Sequence, residues 1–112
     1  KRAKNVLGGF CGFYGACGAG IGNGIFISLL QGATPLSENE WRQCNNITAN
    51  TLLTISEYGG PRCCKRNTFL ALHEAIVFLH YELDCSLKAN NKIKCEFHSL
   101  NKECLKSKCP YH

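Results

Sequence analysis

Three stretches of the chain repeat apolar residues at intervals of three and four, the spacing of one face of an α-helix. The first starts near Ala19 and carries Ile21, Ile25, Leu29 and Leu30 before ending near Gly32. Gly20, Gly22 and Gly24 crowd its beginning, each at a cost of about 1 kcal/mol against alanine in a helix interior. Their cluster predicts that another backbone or a cofactor comes very near. After a Thr34-Pro35 turn, Ser37-Glu38-Asn39-Glu40 reads as a capping box, with the serine capping an early amide and Glu40 reaching back. The helix it opens carries Trp41, Thr48, Leu52 and Ile55 on one face and stops at Gly59-Gly60-Pro61. A third helix is expected from about Asn67, with Phe69, Leu72, Ile76, Leu79 and Leu83 in register. Leu70, Ala71, Ala75, Val77 and Phe78 make it apolar on nearly all sides, which predicts the central helix of the core. Beyond Asp84 the periodicity fails.

The expected fold is therefore mostly α. It is a small three-helix domain over residues 1–84, followed by an irregular cysteine-rich tail over 85–112. That tail has little apolar material, and only metal or disulfides would order it against its chain entropy.

Composition narrows the options. A chain of 112 residues that is 45% hydrophobic can build its own core, so disulfides are not needed to replace one. No run of about 18 apolar residues marks a membrane span. The formal charge of +5 is modest. Lys88, Lys92, Lys94, Lys102, Lys106 and Lys108 place positive charge in the tail, where a solvated surface is expected in preference to a nucleic-acid site. A start at Lys1 suggests a trimmed domain, and the Asn46-Ile47-Thr48 sequon is weak support for secretion.

The nine cysteines change the picture most. Cys11, Cys17, Cys63 and Cys64 sit in glycine-rich turns at the ends of apolar segments, while Cys85, Cys95, Cys104 and Cys109 crowd the tail. An odd number leaves one thiol over in a pure disulfide framework, and adjacent Cys63 and Cys64 would need different partners. Two four-sulfur metal sites plus a packed Cys44 is the leading expectation. The alternative is a secreted, disulfide-bonded domain, with Cys85–Cys95 and Cys104–Cys109 as example pairings.

The first group places four thiols at the entries of two helices, where backbone amides and the helix dipole favour anionic sulfur. Arg62, Lys65 and Arg66 flank the pair and would balance an anionic cluster. In the tail the spacing lacks the paired C-x2-C knuckles of a zinc ribbon. Three or four thiolates there still suggest zinc or a second cluster, with His98 or His112 able to replace one sulfur.

Cys17-Gly-Ala-Gly-Ile-Gly-Asn-Gly-Ile-Phe, Leu30-Gln-Gly-Ala-Thr-Pro and Pro61-Arg-Cys-Cys-Lys-Arg-Asn together resemble the cluster-bearing catalytic domain of iron–sulfur L-serine dehydratases. The resemblance runs over roughly residues 16–80. It implies a [4Fe–4S] cluster held by Cys17 and either Cys63 or Cys64. The third ligand of that family falls at Leu53-Thr54 here, so Cys11 or the second member of the pair would substitute. Nearly the whole chain resembles an uncharacterised cysteine-rich family of methanogens and other anaerobes. The shared patterns are CGxxGxCGAxxGxGIF at 11–26, GGPRCCKR at 59–66 and CxFxxxNxxCxxxxCP at 95–110.

A cluster held by three thiolates keeps one iron open as a Lewis acid, so the expected function is a cytoplasmic, nonredox lyase or desulfidase-like site acting on a small molecule. His73 and His80, seven residues apart on the third helix, are the nearest candidates for its base. A noncatalytic zinc module, with its lysine-rich tail against RNA or a protein partner, is the alternative from another class.

Overall fold

The computed structural model describes all 112 residues. Four α-helices follow one another: α1 (Phe10–Phe13), α2 (Gly18–Gln31), α3 (Asn39–Tyr58) and α4 (Cys64–Leu83). Short 3-10 turns lie at Arg2–Asn5, His98–Leu100 and Lys106–Lys108, and there is no strand. The mostly α architecture is as expected. No helix is long and apolar enough to cross a membrane.

The glycines of α2 let it press against α3. A Cβ on Gly20 would stand 2.6 Å from Leu52 Cδ2, and one on Gly24 would overlap Thr48 Oγ1 and come within 3.4 Å of the Cys44 carbonyl oxygen. The close neighbour is thus a helix. Gly22 faces open space and plays no part in the contact. Gly32 ends α2 in the left-handed conformation, with φ 64°, as a C-terminal glycine does.

The core is small. Ile27 and Ile47 are essentially fully buried, with Phe78 and Leu79 completing the cluster and Cys44 and Leu83 packed against it. Cys44 is accordingly a packing residue. Polar contacts join the three long helices beside this cluster. Asn23 Nδ2 donates to Thr51 Oγ1 and to the Ala71 carbonyl, both at 2.8 Å, and Thr51 Oγ1 donates to the Ile47 carbonyl at 2.8 Å. Asn23→Ala strips buried acceptors on α3 and α4 of their donor and leaves a small void. It should cost about 2–3 kcal/mol in urea unfolding, because an unsatisfied buried partner loses its full desolvation term. A loss under about 1 kcal/mol would mean that water takes over the asparagine's role.

Several local expectations need correction. Ser37 does not cap α3. Its Oγ accepts from the Thr34 amide at 2.9 Å, closing the Thr34–Ser37 turn, and α3 begins at Asn39 without a side-chain cap. The buried face of α3 is Gln43, Ile47 and Thr51, while Trp41 is half-exposed at its start. Gln43 enters the interior because its Oε1 accepts from Gln31 Nε2 at 3.0 Å. The sequon Asn46-Ile47-Thr48 lies inside α3 with its isoleucine buried, far from the surface-loop setting of a glycan acceptor. Finally, α4 starts at Cys64, a turn earlier than its apolar pattern, and it packs across α2 and α3 while leaving Leu72, His73 and Tyr81 exposed.

The irregular tail docks back onto the first half of α4. The Cys95 amide closes the tail on itself by donating to the Tyr111 carbonyl at 2.7 Å. The Tyr111 ring meets Phe69 edge-on at 5.2 Å. Lys65 Nζ lies 4.1 Å above the Phe97 ring.

Candidate functional site

The early start of α4 sets the site. Cys63 is the residue before its first turn, extended at φ −135° and ψ 101°, and Cys64 is its first helical residue. The backbone changes direction between them, and no side chain caps the turn. Cavities open on either side of this corner, and Arg62 and Cys64 border both.

On the tail side is a cavity of about 590 Å³. Cys63, Cys64, Cys95, Cys104 and Cys109 all line it, with His98, His112 and Tyr111. Two of its sulfurs accept N–H groups: Asn101 Nδ2 lies 3.7 Å from Cys63 Sγ and the Lys106 amide 3.4 Å from Cys104 Sγ. The two imidazoles are neighbours, with ring centroids 4.7 Å apart. Burial pushes the Tyr111 phenol up from its ordinary value, with Tyr58 and Cys109 adding in the same direction.

On the other side are two adjoining cavities of about 410 and 440 Å³, which share Cys11, Cys17, Arg62 and Asn67. Glycines at 8, 9, 12 and 15 form much of one wall; Gly9 and Gly15 take φ 88° and 67° and so turn the chain before and after the short α1 that carries Cys11. Asn67 is buried, and its Nδ2 donates to Cys17 Sγ at 3.4 Å while its Oδ1 has no partner. Arg66 is only 2% exposed. One of its terminal nitrogens donates to the Gly59 carbonyl at 2.9 Å and approaches Pro61 O at 3.5 Å. Its Nε has no partner, and the one ion pair of the structure joins Arg42 to Glu82 instead. A buried guanidinium without a counter-charge is expensive, by several kcal/mol.

All nine cysteines are free thiols. The structure gathers seven of them around the start of α4, but in a different partition from the one read along the chain. Cys11, Cys17 and Cys64 border one cavity. Cys63 lies with Cys95, Cys104 and Cys109 in the other, which Cys64 also borders. Cys85 is exposed just past the far end of α4, roughly 30 Å along the helix from Cys64 at 1.5 Å per residue. No three Cys, His, Asp or Glu side chains already converge closely enough to hold a single metal ion.

His73 and His80 are exposed and line none of the three thiol cavities. Nine residues after Cys64, His73 is turned by about 900°, two turns and a half, onto the opposite face of α4; His80 Nδ1 instead meets Ser86 Oγ at 3.0 Å. The residues that sequence reading missed are Asn67, Asn101 and the buried state of Arg66. Arg66 was legible as a flanking cation, whereas its burial depends on α4 starting before Asn67.

The donors suit a cluster chemically: free thiols, amide N–H groups directed at sulfur, and an uncompensated buried cation. No curated protein and no solved structure matches this chain. A profile described as a family of unknown function, DUF5714, matches residues 1–112. With every residue of the chain covered and the cysteine-lined cavities formed by segments from both of its ends, the protein belongs to that DUF5714 family.

Proposed function

We propose that the protein binds an iron–sulfur cluster between Cys11, Cys17 and Cys64 and serves as a nonredox, lyase- or desulfidase-like site. The observation that carries this reading is Arg66. Its guanidinium is buried, makes no ion pair, has an idle Nε, and lines the same cavity as Cys11 and Cys17. A thiolate-held cluster is an anion rich in sulfur acceptors, which is what such a cation lacks.

Cys11, Cys17 and Cys64 would hold the group, and with three thiolates it supplies one open iron as a Lewis acid towards a hydroxyl or thiol leaving group. The chain's other residues bind and orient. Asn67 fixes the Cys17 sulfur through its N–H, Val6 and Phe10 form an apolar wall, and Arg62 borders the entrance with charge for an anionic substrate. Neither of these two cavities is lined by a carboxylate or an imidazole. The chain's contribution there is therefore charge and position.

Anaerobic reconstitution with iron and sulfide tests the proposal. Wild-type protein should turn brown, with charge-transfer absorption at about 400 nm, and Cys17→Ser should abolish it while Cys85→Ser leaves it intact. Colourless wild-type protein that instead holds stoichiometric zinc in this cavity would sink the reading.

A further inference from the structure

The tail cavity carries a second site with its own chemistry. We infer that Cys63, Cys95, Cys104 and Cys109 form a tetrathiolate site for a single soft divalent ion, zinc by preference, which clamps the C-terminal tail to the start of α4. Three features of this chain lead there. First, these four thiols come from the corner before α4 and from three separate points of the tail, yet all border one cavity of about 590 Å³. Second, two of them already accept N–H groups, the pattern that supports anionic sulfur around a metal. The Cys104 contact is made by the amide two residues on, and Lys106 takes the left-handed conformation there, at φ 52°. That backbone state is unfavourable for lysine, and here it directs a donor at sulfur. Third, the tail has almost no apolar core of its own. Its docking rests on Tyr111 against Phe69, Lys65 over Phe97 and the Asn101 side-chain amide on the Cys63 sulfur, while the backbone bond from Cys95 to Tyr111 only closes the tail on itself.

Four soft thiolates select zinc among the common divalent ions, in tetrahedral geometry with bonds of about 2.3 Å. The sulfurs do not yet converge to that spacing. The ion would draw them together as it binds, so that its binding energy becomes ordering energy for the tail. His98 and His112 border the same cavity and are the competing ligands. Adjacent Cys63 and Cys64 then serve different centres, and Cys85 serves neither.

Cobalt(II) is the probe, titrated into the full, reduced, cluster-free chain under anaerobic conditions, followed by displacement with zinc. The expected result is one cobalt per chain with the intense sulfur-to-cobalt band of four thiolates, displaced by one equivalent of zinc. Zinc should also protect the tail from limited proteolysis. Cys63→Ser should weaken cobalt binding by well over about 100-fold, beyond the 10–100-fold typical of a supporting residue, and lower the thiolate band. Cys64→Ser and Cys85→Ser should leave both unchanged. Far-UV circular dichroism of metal-free Cys63→Ser should match wild type, since the core cluster lies away from residue 63. Loss of cobalt binding in Cys85→Ser but not Cys63→Ser overturns the inference, as does a spectrum of mixed nitrogen and sulfur ligands abolished by His98→Ala. Cluster uptake is scored separately: Cys63→Ser should still reconstitute its brown colour through Cys11, Cys17 and Cys64, so each proposal can fail while the other stands.

Discussion

Gly24→Val destabilises the domain by about 3 kcal/mol or more, the largest effect expected of any single change away from the cysteines. The new side chain has nowhere to go. A Cβ alone already overlaps Thr48 Oγ1 and meets the Cys44 carbonyl. Thr48 cannot simply turn aside, because its hydroxyl donates to that same carbonyl at 2.8 Å. Either α2 backs away from α3, opening the contact beside Ile27 and Ile47, or Thr48 gives up its bond and collides elsewhere. Overpacking of this kind costs about 1–3 kcal/mol before the loss of neighbouring burial is added, against a total stability on the order of 5–15 kcal/mol. Gly22→Ala is the control of opposite sign. Nothing lies within 4 Å of its Cβ, so it should stabilise α2 by about 0.5–1 kcal/mol through helix propensity. Urea unfolding of both variants checks the pair. Equal and small effects would mean that the two long helices do not hold the close crossing in solution.

The contrast between those two glycines marks how far the sequence could be read. Glycine at 20, 22 and 24 announced a close approach, but only the angular positions of Gly20 and Gly24 face α3. Which glycine matters depends on where the neighbouring helix lies, and a single chain's periodicity does not contain that. The same limit explains α3. Its apolar residues are sparse, so the buried stripe is set by side chains that can satisfy their polar groups inside: Gln43 through Gln31, and Thr51 through Asn23 and Ile47. By contrast α2 and most of α4 were legible, because apolar spacing and the left-handed Gly32 are local properties.

The thiols show the limit in sharper form. Grouping by distance along the chain placed Cys63 with Cys64, and Cys85 with the tail. In three dimensions the chain turns at residue 63, and the tail returns to the start of α4 rather than staying near its end, where Cys85 is. Neighbours in sequence diverge at that corner: Cys63 borders only the tail-side cavity, whereas Cys64 borders the cavities on both sides. The early start of α4 was hidden for a related reason: Cys64, Lys65 and Arg66 add no apolar signal, although they form its first turn. That hidden turn is what buries Arg66.

Arg66→Met should therefore separate stability from the proposed cluster binding. Two terms of similar size oppose each other in the cluster-free protein. The substitution removes a buried, unpaired guanidinium, a relief of about 1–4 kcal/mol when an apolar side chain of similar volume replaces a buried ion. It also removes the hydrogen bond to Gly59 and the weaker contact with Pro61, a loss of about 1.5–3 kcal/mol for bonds from a charged donor. Thermal or urea unfolding of the cluster-free variant should then lie within about 1 kcal/mol of wild type. Cluster retention should respond quite differently. A cluster bound as proposed beside Cys11 and Cys17 would lose the one buried cation that lines its cavity, and retention after anaerobic gel filtration should fall at least tenfold, the equivalent of about 1.4 kcal/mol. Arg66→Lys keeps the charge without the planar fork and should recover part of the retention. If Arg66 only braces the 59–61 turn, the pattern inverts: stability falls by about 2–3 kcal/mol, iron content stays at the wild-type level, and the charge argument for a cluster in this cavity fails with it.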